Sequence, residues 1–379
     1  MVYLDHAATT PMRAVTKSAW LEASTYLNPA GQYGAGRQAR SVLDDARELV
    51  ASLLGAEPIE VVFTASGTEA DNLAIQGYYE ARGATHPRVI SSDIEHAAVY
   101  DTVRHLEASR GAHLELLPAD RSGFIHDAHD ALDQPAAVAS FMWANNETGA
   151  IQPISSLIAG AAATGTPVHI DAVQVAGKIP IDFAALGASS LAVSGHKFGG
   201  PRGVGVLLVK RNPAPRPLFH GGGQERGLRS GTVDVAGAWA LARALEEAVA
   251  DIDAENRRLE RLKEKVLRTV SDTVDDVLIN TPELSLSSHI NFSFPGCEGD
   301  SLIMLLDAMN IAASTGSACA NGVNRASRVL LAQGLDDATA RGTLRITLGY
   351  TTTEDDVDTL LAALPKVVER ARAAGMAST

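Results

Sequence analysis

In the stretch SSLAVSGHKFGGPRGVG an apolar run ends near Ser194 and then presents His196 and Lys197 among glycines, where a lysine has no apolar face to cover. A lysine set there can serve as a nucleophile, because desolvation lowers its pKa and frees the amine for Schiff-base chemistry with an aldehyde. A surface lysine in a glycine-rich loop fits the same residues. In PVHIDAVQ a second apolar run ends at Asp171, three residues before Gln174. Ligands of open α/β sheets bind at the carboxyl ends of strands. This carboxylate could therefore pair with a cationic ring nitrogen while Gln174 reaches a neighbouring oxygen. A solvated loop carboxylate is the alternative.

VVFTASGTEADN places Ser66, Gly67 and Thr68 between a strand and a helix that opens on TEAD. Free N–H groups at such a start, with a glycine allowing close approach, suit a phosphate, although an ordinary capped helix beginning at Thr68 explains the residues equally well. His96 follows the strand RVIS, where an imidazole could stack on a flat ring and shuttle protons, or be a satisfied loop histidine. In LRITLG, period-two alternation puts Leu344, Ile346 and Leu348 on one face and Arg345 with Thr347 on the other. An arginine so placed can clamp a carboxylate, or simply lie on a solvated sheet face. IAASTGSACANGVN surrounds Cys319 with small and polar residues between Gly316 and Gly322, which reads as a loop presenting a reactive thiol. Cys297, in FPGCEGD, reads as structural.

Other chemistries lack their partner motifs. Ser194 to Lys197 fits S-x-x-K, but neither S-D-N nor K-T-G occurs. HGGGQERGLRSGT resembles an esterase oxyanion loop, but no G-x-S-x-G accompanies it, and its Gly and Arg content fits a grip on an anion or an adjoining subunit. The glycines at 200, 203 and 205 precede a strand instead of following one, so they are no dinucleotide fingerprint. His126 and His129 lie in a polar loop, and no metal site is expected there.

These residues need a scaffold, and the apolar pattern supplies one. A helix is predicted from Arg37 to Leu54, stopped by Gly55. Short apolar runs at 61–64, 88–91, 136–143, 167–170, 189–194 and 203–209 alternate with helical stretches, which argues for a largely parallel α/β sheet. A charged helical arm is expected from Val235 to about Val274. Beyond it HINFSF, a helix around SLIMLLDAMNI, LRITLG and a closing helix with Thr353 and Asp356 as a capping box suggest a smaller α+β domain. Residues 15–255 are expected to form the large domain, and 1–14 with 256–379 the small one.

The 379 residues, 46% of them apolar, suffice for roughly two domains. A net charge of −13 without a basic run argues against nucleic acid or an anionic membrane as partner. Two cysteines are too few for a disulfide framework, and MVYLDHAATTP lacks a basic and then apolar leader. A soluble cytoplasmic protein is the expectation.

Taken in order, the phosphate turn, His96, Asn145-Asn146-Glu147, Asp171 with Gln174, Ser194-x-His196-Lys197, Arg229-Ser230-Gly231-Thr232, Cys319 and Arg345 resemble a cysteine desulfurase. That family belongs to the class V aminotransferase group of fold-type I pyridoxal phosphate enzymes. The resemblance runs from YLDHAATTP to LRITLGYTTTEDDVD. It implies a seven-stranded, mostly parallel sheet in the large domain and a homodimer. Lys197 would hold pyridoxal 5'-phosphate covalently under His96, with Asp171 at the pyridinium nitrogen and Gln174 near the phenolic oxygen. Gly67, Thr68, Ser194 and His196 would hold the phosphate, with Thr232 reaching in from the neighbouring subunit. The carboxylate of L-cysteine would meet Arg345 and Asn146, Lys197 would serve as the Cα base, and Cys319 would take the sulfur as a persulfide. An acceptor protein for iron–sulfur clusters, tRNA thiolation or other thio-cofactors would then receive it.

The chain departs from the family where an N-P-S-S-x-H-x-x-G-R type segment is usual, since it reads NPAGQYGAGR over 28–37. That leaves the natural substrate or acceptor open. Another class V activity, selenocysteine lysis or small-substrate transamination, would need Lys197 but not Cys319.

Overall fold

The computed structural model describes residues 1–126, 129–316 and 326–376. Strand β1 (Val2–Tyr3) and helices α1 (Ala14–Ala23) and α2 (Gly34–Leu53) come first. Then β2 (Val61–Thr64), α3 (Gly67–Arg82), β3 (Arg88–Ser92), α4 (Ala97–Arg110), β4 (His113–Leu117) and α5 (His129–Leu132) follow. Alternation continues through β5 (Val138–Met142), α6 (Ile154–Ala163), β6 (Val168–Asp171), α7 (Phe183–Leu186), β7 (Ser190–Ser194) and β8 (Gly205–Val209). Helices α8 (Val235–Ala250) and α9 (Ile252–Thr273) lead to β9 (Leu278–Ile279), β10 (His289–Ser293), α10 (Gly299–Asp307) and β11 (Ile311–Ala312). The described chain closes with α11 (Arg328–Ala332), α12 (Asp337–Arg341), β12 (Thr343–Thr347) and α13 (Glu354–Met376).

The alternating runs build a seven-stranded sheet in the order β2-β8-β7-β6-β5-β3-β4. Its strands pair in parallel except β8, which runs antiparallel to β2 and β7. Strands β5 and β7 are buried along their whole length, as expected where helices cover both faces. Strands β3, β5, β6 and β7 are successive neighbours and parallel, so their carboxyl ends share one edge. His96, Asn146, Asp171 and Lys197 each lie at or just past one of those four ends.

A second core gathers Leu4, Leu259, Val266, Ile290, Phe292, Leu344, Ile346, Leu348 and Leu360. It packs around the sheet β12-β10-β9, whose β10 and β12 pair antiparallel. The alternation in LRITLG thus buries its three aliphatics here and turns Arg345 the other way. Thr353 and Asp356 bond each other's backbone N–H at the start of α13, forming the anticipated capping box.

Two elements differ from the expectation. The single arm over 235–274 is two helices broken at Asp251. Alanine-rich α8 is buried with the large sheet's core, whereas charged α9 buries only a stripe including Leu259, Leu262, Val266 and Val270. The helix around SLIMLLDAMNI stops at Asp307. Asn310 takes φ 58°, a left-handed turn Asn tolerates better than most residues. Ile311 then pairs with Val2. No helix among the described residues is long and apolar enough to cross a membrane.

Candidate active site

A cavity of about 250 Å3 is lined by Ser66, Gly67, Thr68, Asp71, His96, Asn146, Asp171, Gln174, Ser194, His196 and Lys197. A second of about 340 Å3 shares His96, Asn146, Gln174 and Lys197 with it and adds Arg345, Arg328, Ser314 and Gly316. Of the site residues picked out in the sequence, all but Thr232 and Cys319 line one or both. Thr232 lines a separate small cavity with Thr64 and Arg229 in the same chain. Cys319 lies outside the described residues. The residues bordering that stretch do reach the site. Gly316 and Arg328 line the larger cavity, and the Ser327 hydroxyl donates to buried Glu147 at 2.5 Å.

Helix α3 aims its first turn into the smaller cavity. Ser66, not Thr68, is the cap: its Oγ accepts from the Glu69 N–H at 3.1 Å. The Ala70 N–H returns to the Ser66 carbonyl, so among the described residues the amides of Gly67 and Thr68 keep no intrahelical partner. A Cβ on Gly67 would sit 2.6 Å from Val173 Cγ2 and 3.2 Å from Ser194 Cβ. Only glycine lets the helix start close onto the ends of β6 and β7. Two free amides at a helix N-terminus, beside the Ser194 and Thr68 hydroxyls, suit a dianionic phosphate.

Lys197 stands on the turn after β7 and donates to the carbonyls of Ala7 at 2.5 Å and Ala8 at 3.1 Å. Burial, with Arg345 nearby, brings its pKa down to about 8, against the pull of Asp171 and Asp5. A substantial fraction of the amine is thus neutral near physiological pH. The Asp171 carboxyl is raised by burial but held back by His96 and by the Val173 N–H, which donates to it at 2.9 Å. Ring Nδ1 of His96 accepts from the Ala98 N–H at 3.1 Å, capping α4. Burial keeps this imidazole below its usual pKa, so the neutral ring carries its proton on Nε2. Burial and Lys197 push His196 down to about 4, and its Nδ1 lies 3.0 Å from the Thr9 hydroxyl.

Arg345 is buried and donates to the Asn146 carbonyl at 2.8 Å and to Asp5 at 2.7 Å. Its Nε and the Asn146 Oδ1 have no bonding partner among the described residues.

The sequence reading missed the part of residues 5–10. Thr10 bonds the carbonyls of His196 and Lys197, so the segment pins the lysine's backbone as well as its amine. The signal available was HAATT, a run of small residues that lets a backbone approach another closely. It also missed Asp71, which lines the cavity and bonds His169 at 3.0 Å. Burial raises its carboxyl well above the usual range, and Asp171 adds to this. Arg328, which carries no local signal either, donates to the carbonyls of Asp93 and Glu95, on the turn before His96. In the glycine-rich loop two of the charged residues, Arg229 and Glu225, are paired within the chain. Arg229 pairs with Glu69 at 2.8 Å, and Arg47 pairs with Glu225 at 2.7 Å. Cys297 is buried, with its thiol pushed up to about 11, in keeping with a structural role.

The aminotransferase class-V family matches residues 2–360. An IscS-like cysteine desulfurase of Mycobacterium tuberculosis is 46% identical over 389 residues, spanning 100% of this chain and 99% of that one. Among solved structures, a NifS-like protein is 34% identical with a TM-score of 0.90, covering 97% of this chain and 99% of its own. SspA in complex with cysteine is 31% identical with a TM-score of 0.81, covering 93% and 100%.

Proposed function

This chain belongs to the aminotransferase class-V family and is a pyridoxal phosphate-dependent cysteine desulfurase of fold-type I, and from that premise we propose the part each site residue plays. The observation that carries the assignment is Lys197. Its amine has a depressed pKa and lies in one cavity with a buried carboxylate, a neutral imidazole and a helix start that leaves two amides free. The site fits the cofactor on its own chemistry. Gly67 packs against Val173 and Ser194 with no room for a Cβ, which brings its amide and that of Thr68 to the cavity wall. Asp171 offers a carboxylate where a ring nitrogen can meet it.

When bound to Lys197, pyridoxal phosphate supplies an electron sink for the charge left by a departing Cα proton. Gly67 and Thr68 amides, with Ser194 and His196, hold its phosphate. Thr232 is assigned to the neighbouring subunit of a homodimer, in line with its place outside this chain's own cavity. Asp171 would keep the proton on the ring nitrogen, His96 would lie against the ring, and Gln174 would meet the phenolic oxygen. Arg345 and Asn146 receive the carboxylate of L-cysteine, the substrate class that the SspA complex contains. The released Lys197 amine takes the Cα proton. Cys319 as thiolate attacks the substrate sulfur. An S–S bond forms as the Cβ–S bond breaks, the electron pair stays with the carbon skeleton, and protonation of that skeleton gives alanine. The persulfide passes to an acceptor protein for iron–sulfur clusters or thiolated products, in the cytoplasm. A selenocysteine lyase or aminotransferase reading is not favoured, because the curated relative reported above, matched over the whole chain, is named a cysteine desulfurase.

The test is an absorption spectrum before and after L-cysteine, with alanine quantified in the same tube. A visible band that responds while alanine appears supports the assignment. Protein that stays colourless after added pyridoxal phosphate removes Lys197 from its role.

A further inference from the structure

We infer that Lys178 is a positioning residue: its amine fixes the side-chain amide of Gln174 so that Nε2–H, and not the carbonyl, faces the cavity. The inference rests on the reading that Gln174 meets the cofactor's phenolic oxygen.

Lys178 lies four residues after Gln174 on the turn leaving β6, and its Nζ reaches back to Gln174 O at 3.1 Å and Oε1 at 3.4 Å. On the opposite side, Gln174 Nε2 donates to the Ala7 carbonyl at 3.1 Å. The two contacts demand the same amide orientation. An ammonium only donates and a backbone carbonyl only accepts, so Oε1 must face Lys178 and Nε2 must face Ala7.

The two constraints are not equivalent. The Ala7 carbonyl also accepts from Lys197 Nζ at 2.5 Å, so it is shared with the amine that must move during the reaction. Lys178 stands on the protein side. Its own backbone is held by the Asn256 side chain, which donates to its carbonyl at 2.8 Å. Preceding Gly177 has φ 74°, and a Cβ there would meet Ala248 Cβ at 2.9 Å and Phe198 Cβ at 3.1 Å. The turn is thus seated against α8 and the residue after Lys197.

Lys178 has no carboxylate partner among the described residues, and its charged neighbours are cationic or basic. Burial, then Lys197 and Arg345, bring it down to about 7, and it in turn depresses His6 and His289. Charged or neutral, the amine keeps an N–H to donate to Oε1. The consequence is chemical: a phenolic oxygen bearing negative charge is stabilised by a donor and repelled by an amide oxygen. A glutamine free to flip would offer either.

The experiment compares the visible bands of holoenzymes carrying Lys178→Met, Gln174→Ala and both, with Lys178→Arg as the conservative variant. Gln174→Ala should shift the band and its pH-titration midpoint. Lys178→Met should shift both in the same direction, the double variant should go no further than Gln174→Ala alone, and Lys178→Arg should stay near the parent. If Lys178→Met does not fold, Lys178→Gln takes its place in the same comparison. A band moved by Gln174→Ala but not by the Lys178 variant, or shifts that add in the double variant, overturns the inference. A band unmoved by Gln174→Ala overturns the Gln174 reading and this inference with it.

Discussion

Arg345 and Asp5 meet at 2.7 Å across 340 residues of chain, one on β12 and the other just past β1. The pair places a carboxylate on the guanidinium assigned to the substrate's own carboxylate. Substrate must therefore compete with Asp5 for that N–H, or bind the Nε that has no partner. Arg345→Lys loses the planar fork, and one charged hydrogen bond lost is worth roughly 1.5–3 kcal/mol. KM for L-cysteine should rise roughly 10- to 100-fold with the visible band unchanged. Asp5→Asn should lower KM. Steady-state kinetics with alanine as the readout would count against the assignment if Arg345→Lys left KM where it was.

Lys197 sets the pH dependence of cofactor capture. Its folded pKa, about 8, lies below the ordinary lysine value, so the amine is mostly protonated below pH 8 and mostly free above it. The rate at which apo-protein gains its visible band should rise about tenfold per pH unit at low pH and level off above about 8. A rate that is flat from pH 6 to about pH 9 would contradict a lysine nucleophile with this pKa.

Asp171 should matter to rate more than to loading. Asp171→Asn keeps the Val173 N–H contact and the volume but removes the charge. Electrostatic groups of this kind are worth on the order of 10²–10³ in kcat. Alanine formation should fall by about that factor, while the protein still binds pyridoxal phosphate. Parent-like turnover would place the ring nitrogen elsewhere.

Glu225 anchors the glycine-rich loop. It is buried, takes two bonds from Arg47 and accepts the Phe63 N–H at 2.8 Å. Arg47→Met strands that carboxylate, which costs about 3–5 kcal/mol. Urea unfolding should show a clearly lower midpoint. An unchanged midpoint would mean that water reaches Glu225 in solution.

What could be read from the residues, and what could not, divides along the range of the interaction. The strands, the turn carrying Lys197, the strand-end position of Asp171 and the face of Arg345 follow from local periodicity, because each depends on a few neighbouring residues. The partner of Arg345 did not, since Asp5 comes from the far end of the chain. The same holds for Ala7 and Ala8 on Lys197, whose contribution is a backbone carbonyl and leaves no side-chain signature. Asp71 and Lys178 carry no local signal of a role, and only the fold shows Asp71 buried in the cavity wall and Lys178 half-buried against Gln174. The break at Asp251 was hidden because both flanking segments favour helix, and what separates them is which core each one packs on.

The most direct measurement takes holoenzyme and a Cys319→Ser variant, treats each with one equivalent of L-cysteine, and reads alanine together with the mass of the peptide bearing residue 319. The parent should yield alanine and a Cys319 peptide heavier by one sulfur atom, while Cys319→Ser should keep the visible band and form no persulfide. Alanine and sulfide released by Cys319→Ser at the parent rate would contradict sulfur transfer to this thiol.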